Sequence, residues 1–198
     1  MYPITAHIAS SIPSLRVVLP TAPTIPVTLN NYFPMPAWYD IEDLSDRTRQ
    51  TFRGIKETSK TIFELVERER AFLKGRNQKP SNIILGGFSQ GGALALYVGY
   101  SRLKEPIDSL VALSTYLPFH QEFDKLLNKK LLSQKLFWAH GNKDTMVRPE
   151  WGEKSFELLT KLGVNGEFKM YDELDHSISI EGIQDLENFV KERISLSN

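Results

Sequence analysis

Ser89 stands in a five-residue pattern, Gly87-Phe88-Ser89-Gln90-Gly91, in which glycines flank a serine. An apolar run precedes the pattern and small helix-forming residues follow it, which predicts a strand, a sharp turn and a helix. Such a turn exposes the serine hydroxyl as a nucleophile, and its glycines let neighbouring backbone approach closely. The backbone N–H of Gln90, at the start of the helix, then faces an oxyanion that forms on an attacked carbonyl. The stretch therefore predicts a nucleophile and one oxyanion donor, although a glycine-flanked serine also occurs by chance.

A serine nucleophile needs a base to accept its proton and an acid to orient that base. In hydrolases with this turn the chain order is serine, acid, histidine, each just past a strand. Of the four histidines, His176 follows the last predicted strand, whereas His140 ends an earlier one and is more readily explained as a hydrogen-bonded structural residue. Asp144 lies past the penultimate strand, where the acid is expected, but it also suits a turn or a helix cap. Asp172 and Asp175 are competing acids on the loop of the histidine.

Apolar runs at regular intervals predict the elements that must position these side chains. Strands are predicted at residues 15–19, 82–87, 109–114, 135–140 and 167–171. Helices are predicted from residue 45 or 46 to about 75, directly after Ser89, and at 125–135, 150–162 and 180–194. This alternation predicts an α/β fold with a mostly parallel, doubly wound sheet and helices on both faces. The stretch from Pro20 to Pro36 holds five of the eleven prolines and is predicted to be a long ordered loop without a ladder.

The turn that follows strand 109–114 is apolar, and the ends of parallel strands line ligand crevices in α/β folds. Two residues of this turn, and two that follow Asp144, are therefore expected to contact substrate. They are Tyr116, Leu117, Met146 and Val147. His120, just beyond the turn, is expected to be exposed.

Composition narrows the class of protein. A chain of 198 residues suits one domain over 1–198, and a net charge of zero provides no basic surplus for nucleic acid. The absence of cysteine excludes disulfides, thiolate catalysis and cysteine zinc sites, and it agrees with a cytoplasmic location. No apolar run is long enough for an integral membrane segment. Serine chemistry of this kind requires no metal and no organic cofactor.

Several motifs together carry a resemblance that covers residue 12 to the C-terminus. They are Leu19–Pro23, Pro26–Asn30, Met35–Asp40, Gly86–Leu94, Leu113–Pro118, His140–Asp144 and Asp175–Ser177. Through them the chain resembles the acyl-protein thioesterase and phospholipase/carboxylesterase family of α/β-hydrolases. The resemblance implies a triad of Ser89, Asp144 and His176. It also implies that the substrates are long-chain thioesters on protein cysteines or related lipid esters.

The chain departs from the family pattern at its start. That pattern opens with a further strand and a His-Gly-x-Gly-Asp loop that supplies a second oxyanion N–H, whereas the only His-Gly here is His140-Gly141. An N-terminally shortened hydrolase is therefore expected, with slow turnover and self-association through the shortened sheet. The alternative is a catalytically weak protein that binds acyl ligands or a protein partner. Tyr116 also stands where family members often have tryptophan.

Overall fold

The computed structural model describes residues 2–79 and 82–195. The helices are α1 (Tyr2–Ser11), α2 (Ile55–Gly75), α3 (Gln90–Tyr97), α4 (Phe123–Leu126), α5 (Pro149–Lys161) and α6 (Ile180–Ser195). The strands are β1 (Thr24–Val27), β2 (Phe33–Pro36), β3 (Ile84–Phe88), β4 (Ser109–Leu113), β5 (Lys135–Gly141) and β6 (Asn165–Tyr171). Short 3₁₀ turns occupy Thr28–Asn30, Arg47–Arg49 and Lys129–Ser133, and a π-helical turn, Val98–Arg102, continues α3. Within these ranges no helix is long and apolar enough to cross a membrane.

Four parallel strands form the central sheet in the order β3-β4-β5-β6. Every residue of β4 is buried, as expected for a parallel strand covered on both faces. The sheet confirms the predicted α/β class and the four strands predicted between residues 82 and 171, each to within two or three residues at its ends. In this sheet the carboxyl ends of β3, β5 and β6 lie at the same edge. Ser89 follows β3, Asp144 follows β5 and His176 follows β6, so the three residues are brought to that edge.

The two faces of the sheet are packed by different helices. Leu110 and Ala112 belong to a core with α2, α3 and α5, whereas Val111 and Leu113 belong to a second core with α1 and α6. This separation follows from the alternation of side chains along a strand. The predicted arrangement of helices on both faces is confirmed, and α1, which the sequence patterns did not predict, contributes Ile8 to the second core.

The prediction of a strand at residues 15–19 is wrong. This segment is irregular, and a groove separates it from β3, the nearest edge of the sheet. A parallel strand needs a hydrogen-bonded neighbour about 4.8 Å away, and apolar composition cannot supply one.

The prediction that residues 20–36 form no ladder is also wrong, because β1 and β2 pair there as an antiparallel ribbon. Pro26 lies opposite Pro34 in that ribbon. A two-stranded ribbon accommodates proline wherever no N–H has to reach the partner strand. The prolines therefore restrict the pairing to a short ribbon without preventing it.

Two predicted helices are shorter than expected. Helix α2 begins at Ile55 rather than at residue 45 or 46, because Phe52 (φ 55°) and Gly54 (φ 92°) adopt left-handed conformations that end any helical run. In place of the helix predicted at 125–135, the chain forms the four-residue α4 and a separate 3₁₀ turn.

Candidate active site

Ser89 forms the junction between β3 and α3 and adopts φ 53° and ψ −123°, a region that non-glycine residues rarely occupy. Its backbone N–H donates to Leu113 O at 2.8 Å, which holds the turn at the carboxyl edge of the sheet. A Cβ at Gly87 would overlap the backbone of Gly91, and one at Gly92 would lie 2.8 Å from Gly87 O. Crowding therefore requires glycine at 87 and 92, whereas a Cβ at Gly91 would make only ordinary contact, 3.7 Å from Trp38 Nε1.

Asp144 and His176, which follow β5 and β6, are hydrogen-bonded to each other. His176 Nδ1 lies 2.8 Å from Asp144 Oδ2, and the Asp144 side chain is fully buried whereas that of His176 is partly exposed. The His176 ring also packs against Phe88, the residue before Ser89, with ring centroids 4.7 Å apart. Because Nδ1 faces the carboxylate, Nε2 is the ring nitrogen that remains for proton transfer.

The carboxylate of Asp144 is held by several donors. Its Oδ1 accepts the backbone N–H groups of Met146 at 2.9 Å and Val147 at 2.8 Å. Burial by itself would raise the pKa of Asp144, but hydrogen bonds from His140, His176 and Val147 hold that pKa well below its usual value. Asp144 is therefore ionised at neutral pH and can stabilise a protonated His176.

His140 is fully buried beside this carboxylate. Its Nε2 lies 2.9 Å from Val147 O and 3.4 Å from Asp144 Oδ2. Since a carbonyl oxygen only accepts, Nε2 carries the proton in the neutral ring. His140 thus has the hydrogen-bonded structural role that its position predicted, and the turn after β5 brings Asp144 back beside it, a contact that no local pattern in the sequence signals.

The loops after β5 and β6 are hydrogen-bonded to each other, which fixes the approach of Asp144 to His176. Asn142 Nδ2 donates to Asp172 Oδ1 at 2.8 Å, and Thr145 N donates to Asp175 Oδ1 at 3.2 Å. The two competing acids therefore bind the neighbouring loop, and Asp144 is the acid bonded to the His176 ring.

Gln90 follows the serine and begins α3. Its backbone N–H is one of the first N–H groups of the helix, which have no partner within it. Its side chain binds the loop after β2, because Oε1 accepts from Trp38 N at 2.8 Å and Nε2 donates to Tyr39 O at 2.7 Å. The sequence patterns did not predict this clamp, which needs a partner about fifty residues away.

An apolar groove of about 630 Å³ opens beside Ser89. One wall is β3, and the other is the irregular segment Leu15–Ala22, with Trp38 and Gln90 also lining it. Three consecutive apolar residues of that segment, Val17, Val18 and Leu19, are exposed. The groove is thus a water-accessible apolar space that reaches the candidate nucleophile.

The four residues expected to contact substrate do not line this groove. Tyr116, Leu117 and Val147 are buried in the core, and Tyr116 Oη is 3.0 Å from Tyr39 Oη. Met146 is 49% exposed next to Asp144. Substrate contact by these residues stays a prediction. His120, which was expected to be exposed, is half-buried, so that expectation is wrong.

In the part of the chain that the structure describes, residues 2–79 and 82–195, no three or more histidine and acidic side chains are grouped so that they could hold a metal ion. The residues gathered at this edge of the sheet are instead a hydroxyl, an imidazole and a buried carboxylate. These groups suit nucleophilic attack on an acyl carbon.

Comparison with known proteins gives consistent matches. A family model described as phospholipase/carboxylesterase matches residues 4–194. Acyl-protein thioesterase 1 homolog 1 of Dictyostelium discoideum is 38% identical over 181 residues, covering 91% of this chain and 77% of that protein. Acyl-protein thioesterase 1 of Mycosarcoma maydis is 36% identical over 201 residues, covering 96% and 83%. The crystal structure of Arabidopsis thaliana SOBER1 F65L superposes with a TM-score of 0.86 at 28% identity, covering 97% of this chain and 91% of that one.

Proposed function

The chain belongs to the phospholipase/carboxylesterase family and is an ester hydrolase, and we propose that it hydrolyses long-chain acyl thioesters on protein cysteines or related lipid esters. The relatives named acyl-protein thioesterase support the substrate class. The hydrogen bond of 2.8 Å between Asp144 and His176, at the strand ends that also carry Ser89, is the observation that supports the catalytic assignment best.

In the first half of the reaction, Ser89 Oγ attacks the acyl carbonyl carbon while His176 Nε2 takes the hydroxyl proton. The negative charge that develops on the carbonyl oxygen is stabilised by the backbone N–H of Gln90. Asp144, ionised, stabilises the imidazolium. The carbon–sulfur bond then breaks, and the leaving thiolate takes the proton from His176, which leaves an acyl ester on Ser89.

In the second half, water replaces the thiol. His176 removes a proton from the water as its oxygen attacks the acyl carbon, and the same proton returns to Ser89 Oγ when the ester bond breaks. The products are a carboxylic acid and the free enzyme. No metal and no organic cofactor is needed, because each proton passes through His176.

The groove beside Ser89 supports an apolar acyl group as the substrate. Its lining is mostly apolar, and each buried methylene contributes about 0.8 kcal/mol to transfer from water. An acyl chain in the groove would hold its carbonyl carbon near the nucleophile, and the rest of the substrate would remain outside.

Substitution of the three proposed catalytic residues tests the assignment. Ser89→Ala should lower kcat on a palmitoylated cysteine peptide by about 10⁶, and Asp144→Asn by about 10⁴. His176→Ala should be as severe as Ser89→Ala. Asp172→Asn is the matched control, because this carboxylate lies on the same loops but bonds Asn142. Full activity of Asp144→Asn combined with loss in Asp172→Asn or Asp175→Asn would refute the choice of acid.

A second candidate function is that of a weak hydrolase-like protein that binds acyl ligands or a protein partner. The observation that favours it is that, among residues 2–79 and 82–195, Gln90 is the one oxyanion donor assigned so far. A fluorophosphonate probe separates the two functions, because it labels only an activated serine. Rapid labelling that Ser89→Ala abolishes supports the hydrolase, and acyl binding without labelling supports the alternative.

We propose that this activity lies in the cytoplasm, because a chain without cysteine forms no disulfide and needs no oxidising compartment. Fractionation of cells that express the tagged full chain tests this location. Recovery in a secretory or mitochondrial fraction would contradict it.

A further inference from the structure

A second cavity, of about 400 Å³, lies between the segment before α2 and the turn before α4. It shares no lining residue with the groove beside Ser89. Its lining residues are Arg47, Thr48, Gln50, Thr51, Phe52, Phe119, His120, Gln121 and Glu122. The cavity thus combines one buried cation, two aromatic rings and polar side chains.

Arg47 is 9% exposed and has incomplete hydrogen bonding. Its Nη1 donates to Trp151 O at 2.9 Å and to Ser155 Oγ at 2.8 Å. In the ranges 2–79 and 82–195, its Nε and Nη2 have no hydrogen-bond partner and are not fully buried. The guanidinium forms no ion pair with a carboxylate in these ranges, and it lies over the Trp151 ring, 5.9 Å from the ring centroid. A buried cation without a counter-ion is costly, so an anion in the cavity would supply the missing partner.

The aromatic side of the cavity is held in an unusual conformation. Phe52 (φ 55°) and Phe119 (φ 53°) both adopt the left-handed region, where bulky residues are outliers, and their ring centroids are 4.7 Å apart. Backbone strain of this kind often marks a functional site. The two rings form an apolar surface beside the guanidinium.

The charges around the cavity favour a monoanion. Glu122 is exposed at its margin, and its negative charge opposes a doubly charged ligand. His120 faces the cavity in its neutral form at pH 7, because burial and the charge of Arg47 lower its pKa to about 4. Burial lowers the pKa of Arg47 only to about 10, so the guanidinium keeps its charge.

We propose that this cavity binds a small monocarboxylate, with the carboxylate on the free N–H groups of Arg47 and an apolar body against Phe52 and Phe119. The guanidinium geometry suits a carboxylate, which can accept two parallel N–H bonds. The site is independent of acyl hydrolysis, and the Ser89→Ala variant should bind the same ligand.

Titration of the ¹⁵N-labelled full chain with sodium benzoate at pH 7 tests the proposal. Amide resonances of residues 47–52 and 119–122 should shift and saturate. Benzyl alcohol, which has the same ring without the charge, should shift them at least tenfold more weakly, and inorganic phosphate should bind more weakly than benzoate. Equal effects of benzyl alcohol, tighter binding of phosphate, or shifts confined to the neighbours of Ser89 would overturn the proposal.

Two variants make the test independent of folding. Arg47→Met should abolish the shifts, but it also removes the bonds to Trp151 and Ser155 and could unfold the chain. Glu122→Gln, at an exposed position, should tighten benzoate binding by about threefold or more, because it removes a like charge near the carboxylate. It should leave ester turnover unchanged. An unchanged benzoate affinity in Glu122→Gln would refute the proposed placement of the carboxylate.

Discussion

Replacement of Ser89 by glycine should make the chain more stable than replacement by alanine. Both changes remove the proposed nucleophile, so neither variant should turn over substrate. They differ in backbone strain, because Ser89 adopts φ 53° and ψ −123° and an alanine there keeps the same Cβ. Glycine adopts this conformation without penalty.

The expected difference follows from two opposing terms. A residue held in a sparsely populated backbone region costs about 1–3 kcal/mol, which glycine releases. The greater freedom of glycine in the unfolded chain costs about 0.4–1 kcal/mol. Ser89→Gly should therefore exceed Ser89→Ala by about 1 kcal/mol in free energy of unfolding. For a chain of 198 residues this is about 2–4 °C in Tm.

The assay is thermal unfolding of both variants by circular dichroism, checked by urea denaturation. The same pair of substitutions at Ser10, an exposed position in α1, is the matched control. Glycine should there be less stable than alanine by about 1 kcal/mol, because a helix disfavours it. If Ser89→Gly melted below Ser89→Ala, as at Ser10, the serine turn would store no strain.

Further predictions concern pH, crowding and the edge of the sheet. Hydrolysis should rise with pH, because only the neutral ring of His176 can accept the serine proton while Asp144 stays charged; a flat profile would count against a histidine base. Burial and the charge of Arg47 lower the pKa of His120 from 6.5 to about 4, so its ring stays neutral in the folded protein. Between pH 6.5 and 4 the unfolded chain binds this proton more readily than the folded protein, so the free energy of unfolding should fall as the pH falls from 6.5 towards 4. His120→Gln should reduce the loss of stability between pH 6.5 and 4.5, measured by urea denaturation, and an equal loss in both proteins would contradict this. Gly87→Ala should abolish activity and lower Tm, whereas Gly91→Ala should keep the fold, and equal Tm values would refute the crowding argument. Val18→Lys should reduce any concentration-dependent dimer in sedimentation, since Val18 is exposed beside β3, and an unchanged dimer would exclude this edge as the contact.

Local patterns predicted the parts of the fold that depend on neighbours close in sequence. The buried runs of β4 and β5 are apolar on both faces, so their period and length identify them. The segment at 15–19 has the same composition, but whether it forms a strand depends on a partner strand that composition does not reveal. The start of α2 was also missed. It is set by the left-handed conformations of Phe52 and Gly54, and nothing in a phenylalanine at this position signals such a conformation.

In the candidate site too, local patterns predicted some residues, but not those whose roles depend on contacts between distant segments. The chain order of serine, acid and histidine led to Asp144 and His176, whose hydrogen bond is present in the structure. Nothing local distinguishes Gln90 as the residue that clamps Trp38 and Tyr39, because that contact joins distant segments. Arg47 also gave no signal, since an arginine between polar residues normally faces water.

The position of β3 at the edge of the described sheet gives its amides two different environments. Odd-numbered residues face β4, because Asp108 N donates to Ile83 O and Ser89 N donates to Leu113 O. The alternation of a parallel strand then directs the N–H groups of Gly86 and Phe88 towards the groove. In deuterated water these two amides should exchange quickly, whereas that of Ser89 should exchange only when the turn opens. Deuterium uptake along this one strand therefore reports separately on occupation of the groove and on opening of the serine turn.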